Sequence, residues 1–149
     1  PLNDSATVYI RHSEAGEVVA YGFPMKGKGL WGTISAFGVI SEDLQKMVGI
    51  DFTEQVETPG LGARITEIEF KYFFRNLNLK GFNDDSIQEP ITLVKEKKQT
   101  NVENSTNSLQ AITGATQTVS GVQNMLNTDL EFYIKFIRDN EQLLEQAIS

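Results

Sequence analysis

The sequence predicts an α+β domain with a twisted, mostly antiparallel sheet and helices packed on it. Runs rich in β-branched and aromatic residues fill much of residues 8–53, and a loop of hairpin composition separates the first two runs. Apolar residues then recur at helical spacing beyond residue 66 and again beyond residue 118. The length of 149 residues suits a single domain, which we take to be residues 1–149.

Four strands are predicted in the first part of the chain. Residues 8–12 and 18–23 form an antiparallel pair, and residues 31–40 and 47–53 supply two further strands. Residues 23–29 contain a proline, two glycines and two lysines. We therefore expect an exposed loop between the second and third strands.

A helix is predicted after residue 66, because Thr66 and Glu69 match a capping box. An apolar stripe at i, i+3, i+4 and i+7 follows, consisting of Phe70, Phe73, Phe74 and Leu77. An aromatic stripe at this spacing is typical of a core face, and we expect it to be buried rather than to stack on a ligand.

The second half of the chain contains one more strand and two more predicted helices. The strand is predicted at residues 91–94, and the polar residues 96–110 are expected to form an exposed excursion. One helix is expected to continue through residues 119–126 and another to cover residues 129–148. The apolar face of the last helix packs either internally or against a neighbouring subunit.

Composition excludes several classes of function. A net charge of −7 and a pI near 4.7 argue against nucleic-acid binding. The absence of cysteine excludes disulfides and thiolate sites, and the single histidine, His12, is expected at the surface with no metal or catalytic role. No apolar run approaches the roughly 20 residues that span a bilayer, and because the chain starts at Pro1 we expect an upstream segment to have been removed.

The segment Thr113-Gly114-Ala115-Thr116-Gln117-Thr118 is predicted to present an attachment point. It joins a polar loop to an apolar helical pattern, and Thr113 is expected to cap that helix. Gly114 would let a bulky group approach the backbone, while the free N–H groups of the first turn suit a phosphate. A threonine hydroxyl here is a candidate anchor for a phosphorylated cofactor; alternatively, the segment is an ordinary helix start.

Two upstream segments accompany it, Gly29-Leu30-Trp31-Gly32 and Glu57-Thr58-Pro59-Gly60-Leu61-Gly62. Together the three segments resemble, over residues 17–126, the FMN-binding domain found in the C subunit of the Na⁺-translocating NADH:quinone reductase and in the related G subunit of the Rnf complex. The residues of the first two segments favour the C subunit of the Na⁺-translocating reductase over the G subunit of the Rnf complex. The resemblance implies an FMN-carrying electron-transfer subunit with no turnover of its own.

In the resembling family, FMN is joined by a phosphoester to the last threonine of an Asp-x-x-Ser/Thr-Gly-Ala-Thr pattern. That position is Thr116 here, and the pattern also makes Thr113, Gly114 and Ala115 candidate cofactor-binding residues. The resemblance implies that a separate flavin transferase makes the bond, using FAD and magnesium. Thr118 is a competing hydroxyl, and Gln110 stands where the pattern has aspartate.

The proline–glycine segment is expected to orient the flavin ring. Thr58 and nearby backbone N–H groups suit its polar edge, and Leu61 suits its face. Alternatively, the segment is only a tight turn before the helix. The candidate cofactor-binding residues of this segment are Glu57, Thr58, Gly60, Leu61 and Gly62.

Three further residues are candidates at the same site. Trp31 is a candidate wall of the flavin site. As the lone tryptophan it is also expected to be a core anchor, and it could fill both roles. Lys95 would place a cation near the flavin ring edge or its phosphate unless it is only a solvated strand end, and Arg64 is a weaker candidate for this role.

The resemblance also implies partners and a location. The domain would work with the other subunits of a membrane-bound, sodium-exporting reductase, held on the outer, periplasmic side of the bacterial inner membrane by an upstream transmembrane helix. Two alternatives remain open. One is a flavin domain of the Rnf complex or of another extracytoplasmic reductase; the other is a scaffold module that has lost its flavin, which Gln110 favours.

Overall fold

The computed structural model describes residues 6–94 and 107–146. Its main sheet has four antiparallel strands in the order β1-β2-β3-β4. The strands are β1 (Tyr9–His12), β2 (Val18–Lys28), β3 (Thr33–Ser41) and β4 (Met47–Glu54). This meander, with helices packed on it, confirms the predicted α+β class.

Strand β2 is longer than predicted, because the expected loop at residues 23–29 is strand as far as Lys28. Pro24 lies opposite Phe37 of β3, whereas pairing with β1 ends at Gly22. Beyond Gly22, no described strand pairs with this edge of β2, and a proline is tolerated at such an edge because no ladder bond requires its missing N–H. The loop prediction was wrong, and only residues 29–32 remain as a tight hairpin connection.

One face of the sheet forms the core. Along β3 the buried residues alternate, with Ile34, Ala36, Gly38 and Ile40 facing inward, as expected for a sheet packed on one side. Helix α2 (Thr116–Asp139) lies across β2 on this face.

The helix after residue 66 is much shorter than its pattern suggests. A 3-10 turn at Gly62–Thr66 precedes α1, which covers only Ile68–Tyr72. The predicted capping box is wrong: Glu67 is the N-cap, and the Thr66 hydroxyl donates instead to the carbonyl of Ala63. The aromatic stripe is core as predicted, since Phe70, Phe74 and Leu77 are buried and Phe73 is partly buried.

The two helices predicted at residues 119–126 and 129–148 are mostly one. Helix α2 runs without interruption from Thr116 to Asp139, and a short α3 (Glu141–Gln146) follows. Asn127 lies within the helix, and its side chain bonds to the backbone of Ile91, 36 residues earlier in the chain. The predicted apolar face is internal: Leu130, Ile134 and Ile137 are fully buried.

A second, two-stranded sheet packs against α2. The predicted strand near residue 92 is β5 (Thr92–Val94), and it pairs in parallel with β6 (Ser108–Gln110). Strand β6 falls within the stretch expected to be an exposed excursion, and its Leu109 is fully buried. That part of the prediction was wrong; residues 95–106 lie outside the described residues.

Two smaller observations complete the fold. His12, expected at the surface, is only partly exposed, and its Nε2 is enclosed without a hydrogen-bond partner among the described residues. Across residues 6–94 and 107–146, the structure contains no helix with the length and apolar character needed to cross a membrane.

Candidate functional site

A cleft of about 280 Å³ opens where the three sequence segments meet. Its lining comes from the hairpin connection (Leu30, Trp31), from the turn after β4 (Thr58, Leu61, Gly62) and from residues 114–118 at the start of α2. The volume lies just below the roughly 300–1,000 Å³ typical of small-molecule sites. The segments that the sequence pattern singled out are thus brought together in space.

Glu57 connects all three segments beneath the cleft. Its carboxylate accepts hydrogen bonds from the backbone N–H of Leu30 at 2.6 Å and of Trp31 at 2.9 Å. The same carboxylate accepts a bond from the Thr118 hydroxyl at 2.9 Å. Glu57 is only 4% exposed. Glu57 is not among the residues that line the cleft, but its carboxylate bonds to three residues that do.

The start of α2 differs from the prediction that Thr113 caps it. Ala115 is the N-cap and Thr116 is the first helical residue. Gly114 takes a positive φ of 80°, which turns the chain just before the helix, and Thr113 lies outside the capping position. By helix geometry the N–H groups of residues 116–118 have no carbonyl partner one turn earlier, so this end of the cleft suits an anion.

The two threonines of the first turn have different environments. Thr116 is exposed and lines the cleft, whereas Thr118 is 1% exposed and its hydroxyl donates to Glu57. Both line the same cleft, but Thr118 is the one whose hydroxyl is committed to a structural bond. Thr116 therefore offers the more accessible nucleophilic oxygen.

The mouth of the cleft is apolar and open. Trp31 is 68% exposed, Leu30 47% and Leu61 44%. This exposure excludes the core-anchor reading of Trp31 and leaves its indole beside the cleft. Large apolar side chains exposed together at a cavity are typical of a binding site rather than of an ordinary surface.

The glycines of the turn after β4 have separate roles. Gly60 has a φ of +77°, a conformation that suits glycine, and the turn is closed by bonds from the N–H groups of Leu61 and Ala63 to the Thr58 carbonyl. Gly62 has ordinary backbone angles but no room: a Cβ there would lie 2.5 Å from the Thr118 hydroxyl oxygen. It allows the turn to pack directly against α2.

The predicted cations are not brought into the cleft by the described residues. Arg64 lies 3.7 Å from Glu67 in an ion pair and does not line the cleft. Lys95 falls outside the described residues. Gln110, in place of the motif aspartate, is a partly buried residue of β6 that pairs with Val94.

Sequence reasoning missed Gly121, one turn into α2. A Cβ at this position would collide with the carbonyl of Lys28, and it would lie 3.1 Å from the Cα of Gly29. The glycine thus brings α2 into contact with the hairpin connection that carries Trp31. Its position within a strongly apolar helical pattern, where glycine is unfavourable, was the available signal.

The FMN-binding domain family matches residues 29–131. This chain belongs to that family. Among curated relatives are the C subunits of the Na⁺-translocating NADH-quinone reductases of Yersinia pestis, 32% identical over 120 residues, and of Vibrio alginolyticus, 33% identical over 120 residues. These alignments cover 80% of this chain but 43% and 44% of the relatives. The chain therefore spans less than half the length of these relatives.

Solved structures give the same result. The crystal structure of NqrC from Shewanella oneidensis superposes with a TM-score of 0.70 at 28% identity, covering 85% of this chain and 54% of that one. The crystal structure of the C subunit of the Na⁺-translocating NADH-quinone reductase from Parabacteroides distasonis gives a TM-score of 0.66 at 28% identity, with 87% and 61% covered. The sheet and helices described above are thus shared with proteins of this name.

Proposed function

We propose that this domain carries FMN joined by a phosphoester to Oγ1 of Thr116, and that it relays electrons within a membrane Na⁺-translocating NADH:quinone reductase. The observation that carries the proposal is the exposed Thr116 hydroxyl, which stands at the first residue of α2 in a cleft built by three motifs. The FMN-binding family and the names of the relatives support the cofactor and the complex.

The residues of the cleft fit this cofactor chemically. The free N–H groups at the start of α2 would hold the phosphate, and the absence of acidic side chains from that turn favours an anion. Trp31 and Leu61 would contact a flat aromatic ring, while the exposed Thr58 would meet its polar edge. When bound, FMN supplies one- and two-electron redox chemistry, and the open cleft leaves room for electron exchange at its ring.

The attachment reaction balances with FAD as donor. The Thr116 oxygen forms a bond to the phosphorus on the FMN side of FAD, the phosphoanhydride bond breaks, AMP leaves and the hydroxyl proton is released. We assign this step to a separate flavin transferase with magnesium, as the family resemblance implies; the described cleft residues themselves offer no base beside Thr116. A covalent link keeps the cofactor at its site without tight non-covalent binding.

The proposed setting is a complex in the bacterial inner membrane, with this domain on the outer, periplasmic side and a transmembrane anchor elsewhere in the full protein. The names of the relatives support other reductase subunits as partners. Because the chain spans less than half of those relatives, the activity of the whole complex is attributed to it only as a proposal.

Co-expression with a flavin transferase tests the attachment. Intact-mass measurement should show one added FMN in the wild type and in Thr113→Ala, whose exposed threonine lies three residues away, but none in Thr116→Ala. Peptide mapping should place the group on Thr116 rather than on the buried Thr118. Full modification of Thr116→Ala would refute the proposed anchor.

Gln110 supports one alternative, a scaffold module that has lost its flavin. The same experiment separates the two functions. If the wild type stays unmodified with a transferase that modifies a known substrate in parallel, the scaffold is favoured. Restoring the motif with Gln110→Asp would then show whether that residue alone prevents modification.

A further inference from the structure

Glu57 belongs to the proline–glycine segment, and its side chain also bonds to the two other segments of the site. The two carboxylate oxygens receive three donors: Oε1 is bonded by the Leu30 N–H and the Thr118 hydroxyl, and Oε2 by the Trp31 N–H. The donors come from residues 27 and 26 positions earlier and 61 positions later in the chain. One buried side chain thus ties the hairpin connection to the first turn of α2.

Two glycines make room for this carboxylate. A Cβ on Gly29 would collide with Oε1 of Glu57, and a Cβ on Gly62 would lie 2.8 Å from the Glu57 Cβ. The close packing on both sides restricts the side chain to the arrangement observed. A carboxylate is also the strongest acceptor available for these three donors, because hydrogen bonds to an ionised group are roughly twice as strong as neutral ones.

Side-chain burial does little to hold the hairpin connection at this position. Its side chains, Leu30 and Trp31, are largely exposed, so hydrophobic burial contributes little to their placement. The connection is closed by a bond from the Gly29 N–H to the Gly32 carbonyl, which fixes its local shape but not its relation to α2. Packing of Gly121 against Lys28 and Gly29 brings the connection close to α2, and the bonds to Glu57 add the polar contacts that fix the Leu30 and Trp31 amides there.

We propose that Glu57 is a positioning residue that holds the Trp31 indole at the mouth of the cleft, in fixed relation to the first turn of α2. Where it concerns the flavin, this inference rests on the proposed function. The placement of Trp31 itself is a property of the protein without cofactor and can be tested separately.

Glutamine cannot replace the carboxylate at this position. Two backbone donors, Leu30 N–H and Trp31 N–H, point at different oxygens. Whichever way the amide is placed, its NH₂ group faces one of these donors and leaves it without an acceptor. The substitution Glu57→Gln keeps the size of the side chain and therefore tests the charge and the acceptor pattern rather than packing.

The first experiment uses the domain without flavin. Amide hydrogen exchange followed by NMR should show at least one of the Leu30 and Trp31 N–H groups exchanging about tenfold or more faster in Glu57→Gln, the factor expected for losing a bond to a charged group. Trp31 is the only tryptophan in the chain, so its fluorescence can be measured alone. Its anisotropy should be lower in Glu57→Gln than in the wild type, because the indole is held less firmly. Glu54→Gln, the same change at an exposed glutamate, should leave both signals unchanged. Exchange within twofold of the wild type in Glu57→Gln would overturn the proposal.

If Glu57→Gln fails to fold, a milder pair of variants decides the question. Thr118→Val removes one donor from the carboxylate, and Thr118→Ser keeps it. The proposal requires faster exchange of the Leu30 and Trp31 amides in Thr118→Val than in Thr118→Ser. Equal rates in the two variants would overturn it.

A second experiment uses the flavin-loaded domain. An indole in contact with a flavin quenches its fluorescence by electron transfer, so Glu57→Gln should raise the flavin fluorescence at least twofold. In a Trp31→Phe background the same substitution should have no further effect, since a coupled pair gives a non-additive double-mutant cycle. An equal rise in both backgrounds would contradict the positioning role. If the wild-type domain does not load flavin, the proposed function is refuted. The exchange measurements on the flavin-free domain still decide the role of Glu57.

Discussion

Asn127 offers a sharp test of the packing that holds α2 against the rest of the domain. Its side chain is buried, with Oδ1 accepting from the Ile91 N–H at 2.8 Å and Nδ2 donating to the Ile91 carbonyl at 3.0 Å. Gln123 donates to the same carbonyl at 3.0 Å. Removing the Asn127 amide therefore leaves the buried Ile91 N–H without a partner, whereas the carbonyl keeps one.

The expected cost of Asn127→Ala follows from these contacts. An unsatisfied buried N–H costs about 1–3 kcal/mol, and the lost bond from Nδ2 adds about 1 kcal/mol. The higher helix propensity of alanine offsets about 0.6 kcal/mol. We therefore expect the free energy of unfolding to fall by about 2 kcal/mol. Gln123→Ala should cost only about 0.5–1 kcal/mol, because Asn127 still satisfies the Ile91 carbonyl.

Urea denaturation followed by circular dichroism measures these values. Asn124→Ala is the matched control, since it makes the same change at an exposed position of the same helix and should leave stability unchanged or slightly raised. The double variant at residues 123 and 127 should cost more than the sum of the single changes, because it strips both partners from the Ile91 carbonyl. A cost below about 0.5 kcal/mol for Asn127→Ala, or simple additivity, would refute this account.

Two further predictions concern α2. Gly121→Ala should destabilise the domain despite the better helix propensity of alanine, because the new Cβ would collide with the Lys28 carbonyl. Gly49→Ala, where a Cβ would meet nothing within 4 Å, should be neutral or stabilising; equal unfolding midpoints for the two variants would contradict the close-packing argument. Burial raises the pKa of Asp129 above its usual 3.8, an effect only partly opposed by the bond from the Lys26 N–H. Because the pKa is raised on folding, the contribution of Asp129 to the free energy of unfolding is fully present below pH 3.8, the usual value. That contribution is lost as pH rises through the folded-state pKa. The stability of the wild type relative to Asp129→Asn should therefore fall over that range in urea titrations, and a constant difference would contradict the shift.

Much of the fold could be predicted because it follows from the spacing of apolar residues close together in the sequence. Strands β3 and β4 match their β-branched and aromatic runs closely, and the aromatic stripe after residue 66 is buried as its spacing indicates. The errors share a cause. Pro24 was taken to end a strand, but no described strand pairs with that edge of β2, so its missing N–H is tolerated. Asn127 lay in the predicted break between two helices, but its side chain bonds to Ile91, which is distant in sequence. Tertiary context decided both positions.

The candidate site shows the same division. The sequence identified the three segments and the exposed threonine of the first helical turn, because glycine, proline and threonine at fixed spacing have local meaning. It misplaced the helix cap at Thr113, since the left-handed turn at Gly114 moves the helix start to Ala115 and Thr116. It could not predict that the Glu57 carboxylate is buried and bonded to protein donors, because that arrangement depends on a donor 61 residues away.

The glycines of the motifs change how the cleft itself should be understood. In sequence they suggest turns and close approach of a ligand to the backbone, yet only Gly60 and Gly114 adopt the positive φ that suits glycine. Gly29 and Gly62 stand where an added Cβ would collide with the Glu57 side chain. They serve close packing, so the segments around the cleft are held together by a buried, charge-assisted network before any ligand binds. A preformed cleft of this kind presents the Thr116 hydroxyl in one place, and for the proposed attachment the folded domain, rather than an extended peptide, is then the expected substrate.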